Sequence, residues 1–395
     1  MNFECLQKYL ENMVENNISP SVDCIVKKDR KIIFRFFKGY RDIENKIVIN
    51  GNEEYLIFSM TKLFTCVCAL QLFEQGKYSL DDPIKKYLPE FSKMLVVTSE
   101  KTEVNQNDIA SGNSFGEVTT NNALKLKETL TPITVRQLFS MGAGFNYNLN
   151  SKNILDAIDK GCNDTKSIVS SLSKAPLEFE PGTHFRYSLC HDVLGALIEI
   201  WSEKSLGDYL FENVCKPLGL KHTYFSKRDN FDNPNLSSIY HKNSDGCFKK
   251  SSFVNPYTLV DGYQSGGAGL ISCTEDYSIF LDALANDGVA DKGYLLLKKE
   301  TIDLMKTNQL NEQQYLDFQE LLEGYGYGLG VRTHMNSNVS GSLSPVGEFG
   351  WDGAAGAFSI VDSKNHISLT YFQHCFNWDK AIHQKIRNLL YQSME

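Results

Sequence analysis

Over the first 75 residues the spacing of apolar positions changes from helical to strand-like and then to continuous. Phe3, Leu6, Leu10 and Met13 recur at helical spacing with acidic residues between, which predicts an amphipathic N-terminal helix. Residues 21–27 and 31–37 are β-rich runs on either side of the charged turn Lys28-Asp29-Arg30, which predicts a hairpin. From 63 to 73 the chain is apolar almost all round, interrupted only by Thr65 and Gln71, the pattern of a helix buried on every face. That run closes on Gly76, the usual kind of residue beyond a helix C-terminus.

Further along, Asp81 or Asp82 followed by Pro83 predicts a capped helix start, and 98–129 is a polar excursion with little periodicity. Helical spacing returns at 133–141, 156–172, 193–201 and 206–214. An Asn/Ser-rich loop with short strands covers 230–255, and the glycine-dense turn at 262–272 leads into a helix at 275–286. Two strands, 357–361 and 367–372, flank a turn at 362–365, and Ile382, Ile386, Leu389 and Leu390 mark an amphipathic C-terminal helix. Strands at both ends with helices between predict an α/β (α+β) fold, an antiparallel sheet flanked by helices and built from both termini, with an inserted helical region. On this reading 1–58 and 263–395 form the sheet-containing domain, 59–262 form a mainly helical one, and the active site lies between them.

Ser59 and Lys62 stand three apart at the head of the buried run, hence on one face and within reach of each other. A hydroxyl beside a poorly solvated ammonium is a candidate activated nucleophile, because low solvation makes the lysine proton easier to give up. Ser171 and Lys174 repeat the spacing but precede no apolar run, and read as a solvated helix end. Gly112-Asn113-Ser114-Phe115-Gly116 matches the nucleophile-elbow pattern without the hydrophobic strand it needs, and reads as a loop. A Ser-Lys nucleophile also needs a proton shuttle and backbone amides aimed at the developing oxyanion. Tyr187, leading into a helix, is the candidate shuttle, its phenolate favoured by the Lys62 ammonium. The small residues from Gly353 to Gly356 let a substrate lie against the backbone.

Composition narrows the class. A net charge of −8 over 395 residues, with no basic run, argues against nucleic acid and anionic membranes as partners. No signal-peptide pattern opens the chain and no apolar run is long enough to span a bilayer. Ten scattered cysteines, several in apolar settings, fit a reduced, cytoplasmic setting. Cys190-His191 and His374-Cys375 have no partner pair at zinc-like spacing, so no metal and no cofactor is expected.

SMTK (59–62), SLDDPIKKYL (79–88), ITVRQLFSMGAGF (133–145), PGTHFRYSL (181–189), SGGAGLIS (265–272) and GEFGWDGAAG (347–356) together resemble the class C β-lactamase-related serine hydrolases. That group includes class C β-lactamases, penicillin-binding proteins and carboxylesterases, and the segments occur in the family order. The resemblance implies a β-lactamase/DD-peptidase-like fold, Ser59 as acylated nucleophile, Lys62 as its activating lysine and Tyr187 as the tyrosine of the second motif. Trp351-Asp352-Gly353 then takes the place of the third motif, with the amides of Ser59 and Ala354 as oxyanion hole. Leu189 stands where β-lactamases carry an asparagine, and Trp351 where they carry a cation. Ser140-Met141-Gly142-Ala143-Gly144 replaces the His-Thr-x-Gly loop. The Tyr-Ser-Leu and Trp-x-Gly forms resemble the esterase branch, from which the altered loop departs, and imply a small-molecule ester or amide as partner. The resemblance leaves a D-amino-acid peptidase or amidase, a weak β-lactamase, and a penicillin- or ligand-binding module without turnover as alternatives. An anionic substrate would need another basic residue at the site, with Arg186 and Arg332 as candidates.

Overall fold

The computed structural model describes residues 1–98, 125–227, 233–252 and 255–395. Its main sheet has eight strands: β1 (Ser21–Lys28), β2 (Lys31–Asp42), β3 (Ile47–Val48), β4 (Tyr325–Tyr327), β5 (Arg332–His334), β6 (Phe349–Gly350), β7 (Phe358–Asp362) and β8 (Ile367–Phe372). They lie in the order β4-β5-β6-β7-β8-β1-β2-β3, with antiparallel neighbours throughout. The two predicted hairpins therefore meet at the centre, where Ile25 stands opposite Thr370 on one side and Arg35 on the other. All strands of this sheet come from 21–48 and 325–372.

The terminal helices α1 (Glu4–Glu15) and α5 (Ala381–Met394) cover one face. Leu6, Leu10 and Met13 pack with Ile382, Ile386 and Leu390 over Val22, Val26 and Leu369, as the helical spacing predicts. On the other side α4 (Thr274–Ala285) packs against β1 and β8, and the buried α2 (Thr61–Glu74) packs against α3 (Cys190–Ser202). Every residue of α2 from Thr61 to Leu72 is buried, so the continuous apolar pattern reflects a helix enclosed on all sides. A short sheet joins Glu54–Leu56 to Leu270–Cys273, carrying the chain into the turn that holds Ser59.

Three expectations change. Pro83 is extended and only a 3-10 turn, Ile84–Lys86, follows it, because the Ile84 amide pairs across to the Ile133 carbonyl at 2.9 Å. The helix expected over 156–172 is two, Lys152–Asp159 and Thr165–Ser171. They are divided at Gly161, whose φ of +85° suits glycine, and the second is capped by Asp164. Ser171 is buried and donates back to the Ile168 carbonyl at 2.6 Å, while Lys174 is exposed, so only the lysine of that copy is solvated. The excursion at 98–129 is framed by an antiparallel pair, Leu95–Val97 with Leu126–Glu128. Its interior, Ser114 included, lies outside the described residues. Among the described residues no helix is long and apolar enough to cross a membrane.

Candidate active site

Ser59 sits one turn before α2, in the 3-10 turn Phe58–Met60 rather than in the helix itself. Phe58 ahead of it has φ +46°, a left-handed conformation that costs a bulky residue on the order of 1–3 kcal/mol. Packing of the Phe58 ring against Tyr257, His374 and Phe376 holds that conformation in place. The kink leaves Ser59 partly open on the wall of a cavity while Phe58 and Met60 stay buried.

Lys62, on the first turn of α2, is completely buried. Its Nζ lies 3.3 Å from Ser59 Oγ, 3.3 Å from the Tyr147 hydroxyl and 2.8 Å from the Gly267 carbonyl oxygen. It makes no ion pair with any described residue. Burial brings its pKa down to about 7, outweighing the nearby Asp192, which acts to raise it. The three partners suit a neutral amine, which donates to Gly267 and Tyr147 and keeps its lone pair for the Ser59 proton.

Tyr187 stacks between Tyr147 and Trp351, with centroid separations of 5.6 and 5.5 Å, and its ring lies 4.5 Å from Lys62 Nζ. The Trp351 indole donates to its hydroxyl at 3.0 Å. Burial pushes the phenol up, against hydrogen bonds with Ser59 and Trp351 that pull it down. Tyr187 is thus a neutral phenol at rest. The expectation of a phenolate favoured by an ammonium fails here because burial disfavours the phenolate, and the same burial weakens the charge on the lysine that would support it.

The structure brings Ser59, Tyr187, Trp351, Gly353 and Ala354 together on one cavity wall, with Lys62 directly behind Ser59. Leu189 is elsewhere: it is 2 % exposed in the helical core at the head of α3 and does not line the cavity. Of the two spare arginines, Arg186 is paired with Glu178 at 3.0 Å. Arg332 is buried against Asp352 at 2.6 Å and Glu348 at 3.4 Å.

Tyr147, Asp192 and Gly267 escape the sequence reading. Asp192 Oδ1 accepts from the Tyr263 and Ser265 hydroxyls at 2.7 and 2.6 Å. A Cβ at Gly267 would come within 2.6 Å of Asp192 Oδ2 and 3.4 Å of Lys62 Nζ, so glycine is what lets this backbone close on the lysine. The glycine-dense turn was visible in the sequence, but nothing local tied it to a residue 205 positions earlier.

The cavity measures about 560 Å³, within the range of small-molecule sites. Phe318, Leu321, Leu322, Tyr325, Val339 and Trp351 supply much of its wall, and the exposed side chains of Glu323 and Lys380 stand at its edge.

The family model for beta-lactamase matches residues 6–392. A putative D-alanyl-D-alanine carboxypeptidase of Escherichia coli is 24% identical over 89% of this chain and 77% of its own. Among solved structures, EstCE1, a hydrolase with promiscuous acyltransferase activity, superposes with a TM-score of 0.78 at 22% identity, covering 98% of this chain and 97% of its own. Unliganded simvastatin synthase (LovD) from Aspergillus terreus gives 0.77 at 20% identity, covering 99% and 97%. A match over nearly the whole length, on a fold with an antiparallel sheet and a buried Ser-x-x-Lys helix, identifies the chain as a member of the beta-lactamase family of serine hydrolases.

Proposed function

We propose that this protein hydrolyses uncharged carboxylic esters through an acyl-enzyme on Ser59. The observation that carries the proposal is a buried lysine, without an ion pair among the described residues, 3.3 Å from a serine that opens onto a mostly apolar cavity. In acylation the neutral Lys62 amine takes the Ser59 proton as Oγ attacks the ester carbonyl. The Tyr187 phenol then gives its proton to the departing alkoxide. This leaves an ammonium beside a phenolate, so the pair expected of the resting enzyme belongs to the acyl-enzyme instead. In deacylation the phenolate takes a proton from the attacking water, and Lys62 returns one to Ser59, restoring the starting state. Gly353 N–H is engaged by the Ala357 carbonyl at 2.7 Å, which supports the next amide, Ala354, together with Ser59 N–H, as the oxyanion hole.

Substrate charge follows from what faces the cavity. Trp351 offers one N–H, already given to Tyr187, the two lining arginines Arg332 and Arg387 are paired with carboxylates, and Arg186, paired with Glu178, does not line the cavity. A substrate carboxylate therefore gains little near the reacting atoms. Lys380 at the rim makes no ion pair among the described residues, and it favours the second reading, a peptidase or β-lactamase acting on anionic substrates. Short aryl esters run beside a chromogenic cephalosporin and a D-Ala-D-Ala peptide separate the two. We expect kcat/KM for the esters to be at least about a hundredfold higher, roughly 2.7 kcal/mol in transition-state binding. Trp351→Lys should narrow that gap. Equal turnover of the anionic substrates by the wild type would overturn the ester reading.

A further inference from the structure

We infer that Trp378 and His383, at the head of α5, are positioning residues that aim the Ala354 amide into the site. The inference rests on the proposed Ser59 chemistry. The turn from Gly353 to Ala357 is short, and most of its polar groups have a fixed partner. Gly356 N–H donates to the Gly353 carbonyl at 3.0 Å. Because the peptide is planar and trans, the Ala354 N–H must point the opposite way, out of the turn. That hydrogen bond fixes the peptide plane ahead of Ala354. The plane after it is fixed from α5: the Trp378 indole N–H donates to the Ala354 carbonyl at 3.0 Å. With both flanking planes held, the Ala354 backbone has little freedom to swing its amide away.

His383 secures the same turn one step further on. Its Nε2 donates to the Gly356 carbonyl at 2.9 Å, and the Cys375 amide holds the Ala355 carbonyl at 3.1 Å. Gly356 itself has φ +89°, and a Cβ there would fall 1.9 Å from Gln373 Nε2, so the turn is tightly enclosed. The Trp378 and His383 rings stack at 4.0 Å, and His383 stacks on Phe358 of β7 at 4.3 Å, which locks both donors against the sheet. Two aromatic donors thus grip two carbonyls of one turn, those of Ala354 and Gly356, on either side of the one held by Cys375. An oxyanion donor is effective only if it is already aimed where charge develops, because reorienting it during reaction gives back the gain. Neither residue touches the reacting atoms; both act through the turn.

The decisive variant is Trp378→Phe, which keeps a stacking ring and removes only the N–H. Active sites are counted with a fluorophosphonate so that loss of folded protein is not read as loss of rate. We expect kcat for an aryl ester to fall about tenfold per titrated site, with KM within about twofold, less than the loss of a whole oxyanion donor. Affinity for a trifluoromethyl ketone, which forms a tetrahedral oxyanion on Ser59, should fall by the same factor. Turnover of the matching thionoester, whose sulfur is a weaker acceptor, should fall less. Should Trp378→Phe not fold, the pair His383→Gln and His383→Leu gives the same test, and the glutamine, which keeps a donor, should retain more kcat and ketone affinity. Unchanged kcat and ketone affinity in Trp378→Phe, or equal behaviour of the two His383 variants, overturns the inference. A wild type that takes no fluorophosphonate at Ser59 overturns the function proposal first, and the two failures are thereby told apart.

Discussion

Two buried basic groups at the cavity behave in opposite ways. Lys62 is fully buried among hydrogen-bond partners that carry no charge: a serine, a tyrosine and a backbone carbonyl. The nearest carboxylate, Asp192, has one oxygen taken up by Tyr263 and Ser265. Arg332 is 1 % exposed and meets Asp352 and Glu348 directly, while Arg387 reaches the far side of Glu348 at 3.3 Å. Burial alone would raise the Asp352 carboxyl, yet Arg332, with His383 and Arg387, holds it well below the usual carboxylate range. A buried charge survives where countercharges touch it; where only dipoles touch it, the group gives up its proton. The first environment suits a structural clamp and the second suits a base.

The largest effects should come from breaking the base side. Ser59→Ala should lower ester turnover by about 10⁴-fold or more and change stability by about 1 kcal/mol. Lys62→Ala and Tyr187→Phe should each cost about 10³-fold, with the double variant little worse, because both serve one proton-transfer cycle. Steady-state kinetics on the four proteins provide the check. Defects that simply multiply would show that the two residues act separately.

Much of this was legible in the sequence. Local patterns located the two hairpins that meet at the sheet centre, the terminal helices over it and the buried helix after Ser59. Ser59 and Lys62 were readable because the pair lies within one turn of chain. Tyr147 and Gly267 were not, since their contact with Lys62 is made only by the packing of segments 85 and 205 residues away. The Arg332 cluster was hidden for the same reason: its acids come from other strands and turns, and its charges look like ordinary surface residues. Leu189 was placed in the site by motif position, but its side chain turns into the helical core at the N-cap of α3. Its neighbour two residues back, Tyr187, lines the cavity.

The same comparison predicts opposite stability effects at neutral pH. Arg332→Met leaves Glu348 and Asp352 short of a buried partner and should cost about 3–5 kcal/mol. Lys62→Met should instead stabilise the fold, because the native state lowers this lysine's pKa to about 7 and so disfavours its charge, whereas the unfolded chain protonates it fully. With a folded pKa near 7 against an unfolded value of about 10.4, the unfolded state binds more protons across that window. Stability of the wild type from this group therefore rises as pH rises from about 7 to 10. The penalty removed by Lys62→Met is of order 3–5 kcal/mol at pH 7 before its lost hydrogen bonds are subtracted, and it vanishes above the unfolded pKa. Denaturant melts of both proteins at several pH values test this. An advantage for Lys62→Met that does not shrink with rising pH would show that Lys62 is charged in the native state.

The smallest effect is the most specific to the base. If the neutral Lys62 amine starts the reaction, kcat/KM should climb with pH on a limb whose apparent pKa is about 7, reporting the free enzyme. Asp192 is the nearby anion that holds that value up; burial raises the pKa of Asp192, and the Lys62 charge lowers it in turn, so each group's titration depends on the other. Asp192→Asn keeps an oxygen for the Tyr263 and Ser265 hydroxyls but removes the charge. The Lys62 ammonium then loses its support, and the ascending limb should move to lower pH while the plateau rate changes little. A profile of kcat/KM on a neutral aryl ester between pH 5 and 9 measures the shift without titration of the substrate. A limb that stays where it is, or that disappears together with the Asp192 charge, would mean that the ionising group is not Lys62 and that Lys62 is not the base.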